Sequence, residues 1–301
     1  MPTLAGARQS TQARHPGSEW KTRLVGVPGR MLTHGLLSMW CLISMLGLLW
    51  VVASSLKTNQ ELFRIDRLWR LPAVPQWQNY VRAWTRSRMG NYFFNSVVVT
   101  AVSVLGADIV GAMAAYILAR FRFKGNSAVL TAFILGSAVP LQLIVVPLYV
   151  LYHRIGLLDT IPGLVFALVA TSLPFTVFVL TGFFKTLPTE LEEAAVLDGA
   201  SEWQVFWRVM LPLAAPGMIT VTIFNSLRFW NEYLLPMMLI NSTERMTMPV
   251  GLFNLMQQSE QVGDQTGLLA GFVIVLVPTL VIFFILQGRI TKGMTAGALK
   301  G

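Results

Sequence analysis

The chain has 301 residues, of which 54% are hydrophobic and only 12% are charged, and its mean hydropathy is +0.60. Soluble domains carry about twice that charged fraction, so the composition excludes an ordinary water-soluble fold and favours a surface that faces lipid. The net charge of +9 does not indicate nucleic-acid binding, because five basic residues lie in the first thirty positions and many others flank apolar runs, as in cytoplasmic membrane loops.

The N-terminal segment, residues 1–30, is polar and basic, and the first apolar run begins at Met31. This run is too long and too far from the N-terminus for a cleaved signal peptide, which predicts a retained first membrane span. The sequence therefore predicts a cytoplasmic tail over residues 1–30 and a membrane domain over residues 31–301.

Six charge-poor segments reach the length that a helix needs to cross a bilayer, about 20 residues. In chain order they cover residues 31–56, 92–118, 127–152, 161–184, 213–240 and 266–287. They predict an all-α, polytopic membrane protein with six transmembrane helices.

The distribution of Lys and Arg between the loops favours a cytoplasmic location for both termini. The outer loop between the first two spans is an exception, because it contains several arginines among tryptophans. This loop is amphipathic and could lie along the outer interface of the membrane.

Residues 188–216, between the fourth and fifth spans, are predicted to form a helical hairpin. Pro188 suits the first turn of a helix, and Gly199 can end that helix in the left-handed conformation. Ser201 and Gln204 have the spacing of a capping box for a second helix, which Pro212 would stop or kink. Such an ordered segment is more than a simple connection.

The hairpin also contains a specific motif within residues 185–212. Glu193-Ala194-Ala195 is followed after three residues by Gly199, and Leu-Pro follows at 211–212. This spacing resembles the EAA loop of permeases from ATP-binding-cassette (ABC) importers, although valine occupies position 209, where isoleucine is commoner. A capped cytoplasmic hairpin with no such role is the alternative interpretation.

Further short stretches narrow the resemblance. Residues 114–116, 119–121, 173–175, 230–232 and 293–301 resemble the shorter permease subunit of maltose-type carbohydrate importers, and the likeness covers about residues 36–301. It implies that the chain carries a sugar across the cytoplasmic membrane of a bacterium or archaeon. It further implies a second permease subunit, a dimer of ABC ATPase subunits and an extracytoplasmic solute-binding protein as partners.

The three histidines, His15, His34 and His153, are far apart in sequence, and the Ser, His and acidic residues form no motif for nucleophilic catalysis, so neither a metal nor a catalytic site is expected. The resemblance implies that the partner ATPases, and not this chain, bind ATP. It implies contact with these ATPases at two places. In the hairpin the contacting residues would be Glu193, Ala194, Ala195, Asp198 and Gly199. In the C-terminal tail they would be Gly293, Gly297 and Lys300, for which a frayed, solvated terminus is the alternative.

The fifth predicted span contains Asn225, Asn231 and Glu232. Polar residues inside a membrane usually face the bundle interior or water, so these three are candidates for the solute pathway. A buried polar cluster that only closes a helix interface is the alternative. The loop at 241–267, rich in glutamine, is either a solvated connection or a contact for the binding protein.

Asp108 and Arg228 depart from the family pattern, in which apolar or small residues are expected. They would lie at depths of about 15 and 22 Å from the cytoplasmic ends of their spans. Since unpaired charges are costly in a bilayer, we predict that they form an ion pair. Glu232, four residues beyond Arg228, is the alternative partner.

Two other classes of protein are weighed against the importer permease. An ion-coupled carrier that works alone would need a set of ionisable coupling residues, and Asp108 with Glu232 supplies only a fragment of one. A membrane scaffold would leave the ordered hairpin unexplained. The identity of the sugar is not encoded in any motif.

Overall fold

The computed structural model describes the backbone of residues 19–298 and the side chains of residues 31–285, apart from that of residue 86. Within these residues the chain is helical and has no strand. The helices are α1 Glu19–Ser55, α2 Asn59–Leu62, α3 Gln78–Arg86, α4 Met89–Arg120, α5 Asn126–Ser137, α6 Leu141–Arg154, α7 Ile161–Thr186, α8 Glu190–Leu197, α9 Glu202–Val205, α10 Leu211–Leu213, α11 Ala215–Trp230, α12 Leu234–Leu239, α13 Met248–Val262 and α14 Gln265–Ala298.

Two structural units divide the chain, Met1–Val52 and Ala53–Gly301. In the first unit, α1 begins at Glu19, before the predicted boundary at residue 31, and its apolar span starts at Met31. Large apolar side chains of this span are exposed, as shown by Trp40 at 73%. Such a surface suits contact with lipid or with another membrane protein.

Four helical segments are long and apolar enough to cross a membrane, and two bent helix pairs raise this number to six if each pair is one span. The four segments are Met31–Ser55, Met89–Arg120, Ile161–Thr186 and Gln265–Ile285. The six predicted segments therefore correspond to these four and to the two bent pairs.

The third predicted span is not one continuous helix. It consists of α5 and α6, which meet at an angle of 102°. Val139 precedes Pro140, and a residue before proline is pushed out of the helical conformation. Pro140 has extended backbone angles, with ψ at 131°, and the chain starts a new helix at Leu141.

The fifth predicted span, residues 213–240, has the wrong boundaries at both ends. The helical segment Glu202–Leu213 bends by 76° into α11, close to Pro212 and Pro216. At its other end α11 stops at Trp230, and α12 is a separate short helix. The Glu232 carboxylate favours this second break, because its Oε1 accepts the backbone N–H groups of Leu234 and Leu235 at 3.0 and 3.3 Å.

The core of the second unit is built around α4 and α7, with α11 packed beside them. Gly111 of α4 permits close contact with α7, since a Cβ at this position would lie 2.5 Å from Cγ2 of Thr176. One apolar cluster includes Ala107, Leu164 and Leu168, and a second surrounds Tyr116 and Phe184 nearer the hairpin. Each cluster combines side chains from α4 and α7.

Candidate functional site

The first helix of the hairpin, α8, ends as the sequence predicts. Gly199 has φ +84°, in the left-handed region. The Gly199 N–H donates to the carbonyl of Val196 and the Ala200 N–H to that of Ala195, both at 3.0 Å. These two bonds satisfy carbonyls that the end of a helix would otherwise leave open. The predicted start at Pro188 is two residues early, because α8 begins at Glu190.

The second half of the hairpin begins with the predicted capping box. The Gln204 N–H donates to Oγ of Ser201 at 3.4 Å, and the Ser201 N–H donates to Oε1 of Gln204 at 2.9 Å. After α9 the chain continues through a π-helical turn, Phe206–Met210, and α10. The hairpin therefore has a fixed entry into the bend before α11.

An ion pair joins the hairpin to α4. Nε of Arg120 lies 2.8 Å from Oε1 of Glu192, and these side chains are only 8% and 19% exposed. Arg120 also donates to the carbonyl of Leu187 at 2.7 Å. Burial raises the pKa of the Glu192 carboxyl, and the positive charge of Arg120 partly opposes this shift. Sequence reasoning missed this pairing, because Arg120 and Glu192 are 72 positions apart.

Aromatic side chains pack the hairpin against the membrane helices. The Tyr116 ring of α4 lies 5.6 Å from the Phe184 ring of α7 and 5.2 Å from the Phe206 ring of the hairpin. The Trp207 ring lies a further 5.0 Å from Phe206. Aromatic contacts in this distance range add to the stability gained by burial. A displacement of the hairpin would therefore be transmitted to α4 and α7.

The candidate ATPase-contacting residues lie together on α8 and at its end. Four of these residues are exposed: Glu193, Ala194, Asp198 and Gly199. Ala195 is half-buried and packs against the apolar cluster that surrounds Tyr116 and Phe184. The apolar side chains of Val196 and Leu197 are also exposed, at 55% and 87%. An exposed apolar patch with an acidic rim is typical of a protein–protein contact.

A buried polar cluster links α4, α7 and α11. Oδ2 of Asp108 accepts from the hydroxyl of Thr222 at 2.6 Å, and its Oδ1 accepts from the amide of Asn225 at 2.9 Å. The same amide donates to Oγ1 of Thr176 at 3.1 Å. Asp108 and Asn225 are 6% and 1% exposed, so these hydrogen bonds satisfy groups that lie away from solvent.

The predicted ion pair between Asp108 and Arg228 is not formed. Instead, Arg228 donates to the carbonyl of Thr171 at 3.2 Å. The ion pairs among the described side chains include neither Asp108 nor Arg228. Both oxygens of Asp108 accept hydrogen bonds from residues of α11, namely Thr222 and Asn225. Arg228 lies three residues beyond Asn225, which is almost one helical turn, or about 4.5 Å along the helix axis.

The alternative pairing of Arg228 with Glu232 is not formed either, because the two groups are not within salt-bridge distance, and Oε1 of Glu232 instead caps α12. Asn231 is exposed; its amide donates to the Leu227 carbonyl at 2.8 Å, and its Oδ1 lies 3.4 Å from the hydroxyl of Thr279. Asn225 and Asn231 are thus in different surroundings. A role for Asn225, Asn231 and Glu232 in the solute pathway stays a prediction.

The C-terminal candidates are only partly covered by the structure. Gly293 and Gly297 belong to α14 by their backbone, and Lys300 lies outside the described residues. The surroundings of the side chains from residue 286 onward are likewise outside the described part. Among the described residues there is no group of three His, Cys, Asp or Glu side chains that could hold a metal ion.

Several contacts converge on Asp159, just before the start of α7 and thus at its opposite end from the hairpin. This set of contacts, called the Asp159 clamp below, was not predicted from the sequence. Oδ1 of Asp159 accepts the backbone N–H groups of Asn241 and Ser242 at 3.0 and 2.8 Å. The Ser242 hydroxyl and the Arg245 guanidinium also contact Asp159. The hydrogen bonds from Ser242 are the main reason why the pKa of the Asp159 carboxyl lies below its usual value. No local motif links positions 82 residues or more apart.

Comparison with known proteins places this architecture in a family. Residues 109–296 match the family described as binding-protein-dependent transport system inner membrane component. The chain is 38% identical over 269 residues to the diacetylchitobiose uptake system permease protein NgcG of Streptomyces coelicolor, which covers 89% of this chain and 88% of that protein. It is 34% identical over 259 residues to the trehalose transport system permease protein SugB of Mycobacterium tuberculosis, covering 86% and 93%.

The fold is also shared with a solved structure. A bacterial ABC transporter involved in the import of the acidic polysaccharide alginate has a chain that superposes with a TM-score of 0.77. That match covers 91% of this chain and 99% of the other at 21% identity, so it supports the fold alone. The chain therefore belongs to the binding-protein-dependent transport system inner membrane component family, as a multi-pass permease subunit related to those of sugar importers.

Proposed function

We propose that this chain is the permease subunit of an ABC importer that carries a carbohydrate across the cytoplasmic membrane of a bacterium or archaeon. Relatives named for diacetylchitobiose and trehalose uptake support the substrate class. The Lys and Arg distribution supports an orientation with both termini in the cytoplasm. The chain provides the path and its gating, and partner subunits provide the energy.

The observation that carries this proposal is the hairpin, which is exposed on one side and anchored on the other. Glu193, Ala194, Asp198 and Gly199 are available to an ATPase subunit, while Ala195 packs inward. The ion pair of Arg120 with Glu192 and the aromatic contacts of Tyr116 connect the same hairpin to α4. Motion of the ATPase would therefore rearrange the membrane helices.

The partners in this proposal are a second permease subunit, a dimer of ABC ATPase subunits and an extracytoplasmic solute-binding protein. ATP would bind the ATPase subunits, and this chain would need no cofactor. Exposed glutamines on α13, including Gln257, Gln258 and Gln261, offer hydrogen-bonding groups to the binding protein. Asn225, Asn231 and Glu232 remain candidates for the solute pathway.

The length of α14 supports a second contact with the ATPases. Its 34 residues would span about 51 Å, which exceeds the bilayer's hydrocarbon core of about 30 Å. With the predicted orientation, the C-terminal end of α14 would project into the cytoplasm. Gly293, Gly297 and Lys300 would then be placed to touch the ATPase dimer, as the family resemblance implies.

The proposal is tested by deleting the gene for this chain and restoring it in parental or variant form. Radiolabelled carbohydrate uptake should disappear on deletion and return with the parental chain. Arg120→Met should lower uptake at least tenfold although the ATPase still copurifies, because the hairpin loses its charged link to α4. An exchanged pair, Arg120→Glu with Glu192→Arg, should recover part of the loss.

Arg154→Met is the matched control, because Arg154 is exposed at the end of α6, far in sequence from the hairpin. It should leave uptake at the parental rate. Parental uptake by Arg120→Met would contradict the proposed transmission through the hairpin. Uptake that continues without the ATPase subunits would instead indicate a secondary carrier.

A further inference from the structure

A cavity of about 450 Å³ lies at the break between α5 and α6 and is closed by α7 and one side of α11. Its volume is in the range of small-molecule sites, about 300 to 1,000 Å³. The lining is apolar apart from Ser137, Tyr152, Thr171 and Arg228. An apolar site with a few polar groups on one side is typical of a pocket that orients a small polar ligand.

With the predicted topology, the cavity would lie near the middle of the membrane. Ser137 is the twelfth residue of α5, about 17 Å from its start, and Thr171 is the eleventh of α7, about 15 Å from its start. These two helices enter the membrane from opposite sides, and the hydrocarbon core is about 30 Å thick. Both distances therefore place the break at mid-depth, where a permeating solute must pass.

Arg228 contributes a positive charge to this cavity without an anionic partner within salt-bridge distance among the described side chains. A guanidinium has five N–H donors, and one hydrogen bond of Arg228 is seen within the described part of the chain, to the Thr171 carbonyl. Asp108 is held by Thr222 and Asn225. Glu232 is near enough to attract Arg228, but its Oε1 caps α12.

We propose that Arg228 binds an anionic group of the transported solute, so that the carbohydrate is an acidic one that carries a carboxylate, sulfonate or phosphate. This inference rests on the proposed transport function. A guanidinium recognises such groups through paired, charge-assisted hydrogen bonds. An ionisable residue inside a membrane is by default a functional site, and an incoming anion would supply the ion-pair partner that Arg228 does not have among the described side chains.

Other parts of the lining suit the rest of a sugar. The hydroxyl of Tyr152 and that of Ser137 can bond to sugar hydroxyls, and Phe175 offers an aromatic surface for the apolar face of a pyranose ring. A neutral sugar would fill the same space but would leave the guanidinium without an anion within salt-bridge distance among the described side chains. The charge of Arg228 therefore discriminates between solutes that are otherwise alike.

The test compares matched solutes in cells that contain the whole importer. Uptake is measured for glucuronate against glucose, galacturonate against galactose, and glycerol phosphate against glycerol. The parental importer should favour the acidic member of at least one pair. Arg228→Met should reduce that uptake at least tenfold, Arg228→Lys should retain the preference at a lower rate, and Arg154→Met should change neither.

A second measurement does not depend on transport by the variants. Ser137→Cys is made in a Cys41→Ser background, since Cys41 is the only cysteine of the sequence. Anionic and cationic thiosulfonate reagents of similar size are then compared. The anionic reagent should react several-fold faster, and Arg228→Met should remove this advantage. Equal rates with Arg228 present, or no reaction with either reagent, would contradict an anion site that is open to solutes.

The outcomes separate the inference from the proposed function. Import confined to neutral sugars, at a rate that Arg228→Met does not change, would overturn the anion site and leave the importer assignment intact. Import of neither acidic nor neutral carbohydrates by the parental strain would instead remove the proposed function. Retention of the second permease subunit by Arg228→Lys but not by Arg228→Met, with unchanged solute preference, would show that Arg228 pairs with that subunit.

Discussion

The internal shape of the hairpin and the buried polar cluster depend on contacts of opposite kinds, although the Arg120–Glu192 ion pair also joins the hairpin to a distant helix. In the hairpin, the bonds that shape it join residues at most five positions apart, such as Ser201 with Gln204 and Ala200 with Ala195. In the cluster, Asp108 and Asn225 are 117 positions apart. The hairpin exposes its motif residues to solvent, whereas the cluster is buried between three helices.

Because of this difference, substitutions in the hairpin and in the polar cluster should have different effects. A side chain added at Gly199 meets no atom of the described residues within 4 Å of its Cβ, so its effect should arise from a partner. A change in the cluster leaves buried hydrogen-bonding groups without partners, so it should act on the stability of the chain itself. Variants in the two regions should therefore be distinguishable by measuring transport and unfolding in parallel.

The largest expected effect comes from Gly199→Asn. Asparagine tolerates the left-handed conformation better than most residues, and no atom of the described chain lies within 4 Å of a Cβ built at position 199. The variant should therefore fold normally while its side chain projects into the contact with the ATPase. We expect at least a tenfold loss of uptake with an unchanged melting temperature. Glu193→Ala should weaken ATPase copurification only modestly.

Gly125→Asn is the control for backbone conformation. Gly125 also has a positive φ, +94°, and open space around its Cβ, and it precedes α5 outside the hairpin. Parental uptake by Gly125→Asn together with loss in Gly199→Asn would locate the effect at the docking surface. Parental uptake by both variants would show that Gly199 does not face a partner closely.

A smaller effect, now on stability, is expected from Asp108. Replacement by Ala removes the acceptor for Thr222 and Asn225, at a cost of about 1 to 3 kcal/mol. Asp108→Asn should be milder, because Thr222 has a second acceptor in the Met218 carbonyl at 2.8 Å and can then accept from the new amide. Denaturant unfolding in detergent measures both variants.

A double-mutant cycle discriminates between the two proposed partners of Asp108. Asp108→Ala combined with Asn225→Ala should show a coupling of about 0.5 to 3 kcal/mol, as for residues in direct contact. Asp108→Ala combined with Arg228→Met should be additive within about 0.5 kcal/mol. Strong coupling to Arg228 would restore the ion pair that the sequence predicts and would contradict the arrangement in the structure.

These contrasts explain how much the sequence could predict. Three predictions agree with the structure because each depends on a few neighbouring residues. They are the number of apolar segments, the end of α8 just before Gly199, and the capping box at Ser201. The prediction of an ion pair between Asp108 and Arg228 was wrong, because it used only the depth of each residue along a straight helix. Depth does not determine which faces of two helices are in contact. The bend at Ala214 changes the direction of the span that carries Arg228, and helix register then decides the pairing.

The smallest expected effect concerns Asp159, which joins the turn before α7 to the segment after α12 and so combines features of both regions. Like the hairpin, Asp159 lies in a connection between membrane segments. Like the polar cluster, it bonds to residues that are distant in sequence, Asn241 and Ser242. Asp159 has φ +55°, a conformation that Asn also tolerates. Asp159→Asn should therefore keep the turn and weaken only the clamp.

The pH dependence of this clamp gives the measurement. Hydrogen bonds hold the pKa of Asp159 below its usual value, so the clamp contributes stability above the pKa of the unfolded state. That contribution is lost as the pH falls through the lower, folded-state pKa. Exchange of the Asn241 and Ser242 amides, corrected for intrinsic rates, should stay slow until strongly acidic pH. In Asp159→Asn exchange should be faster at neutral pH and lack the acid transition; an unchanged transition would show that another group controls this loop.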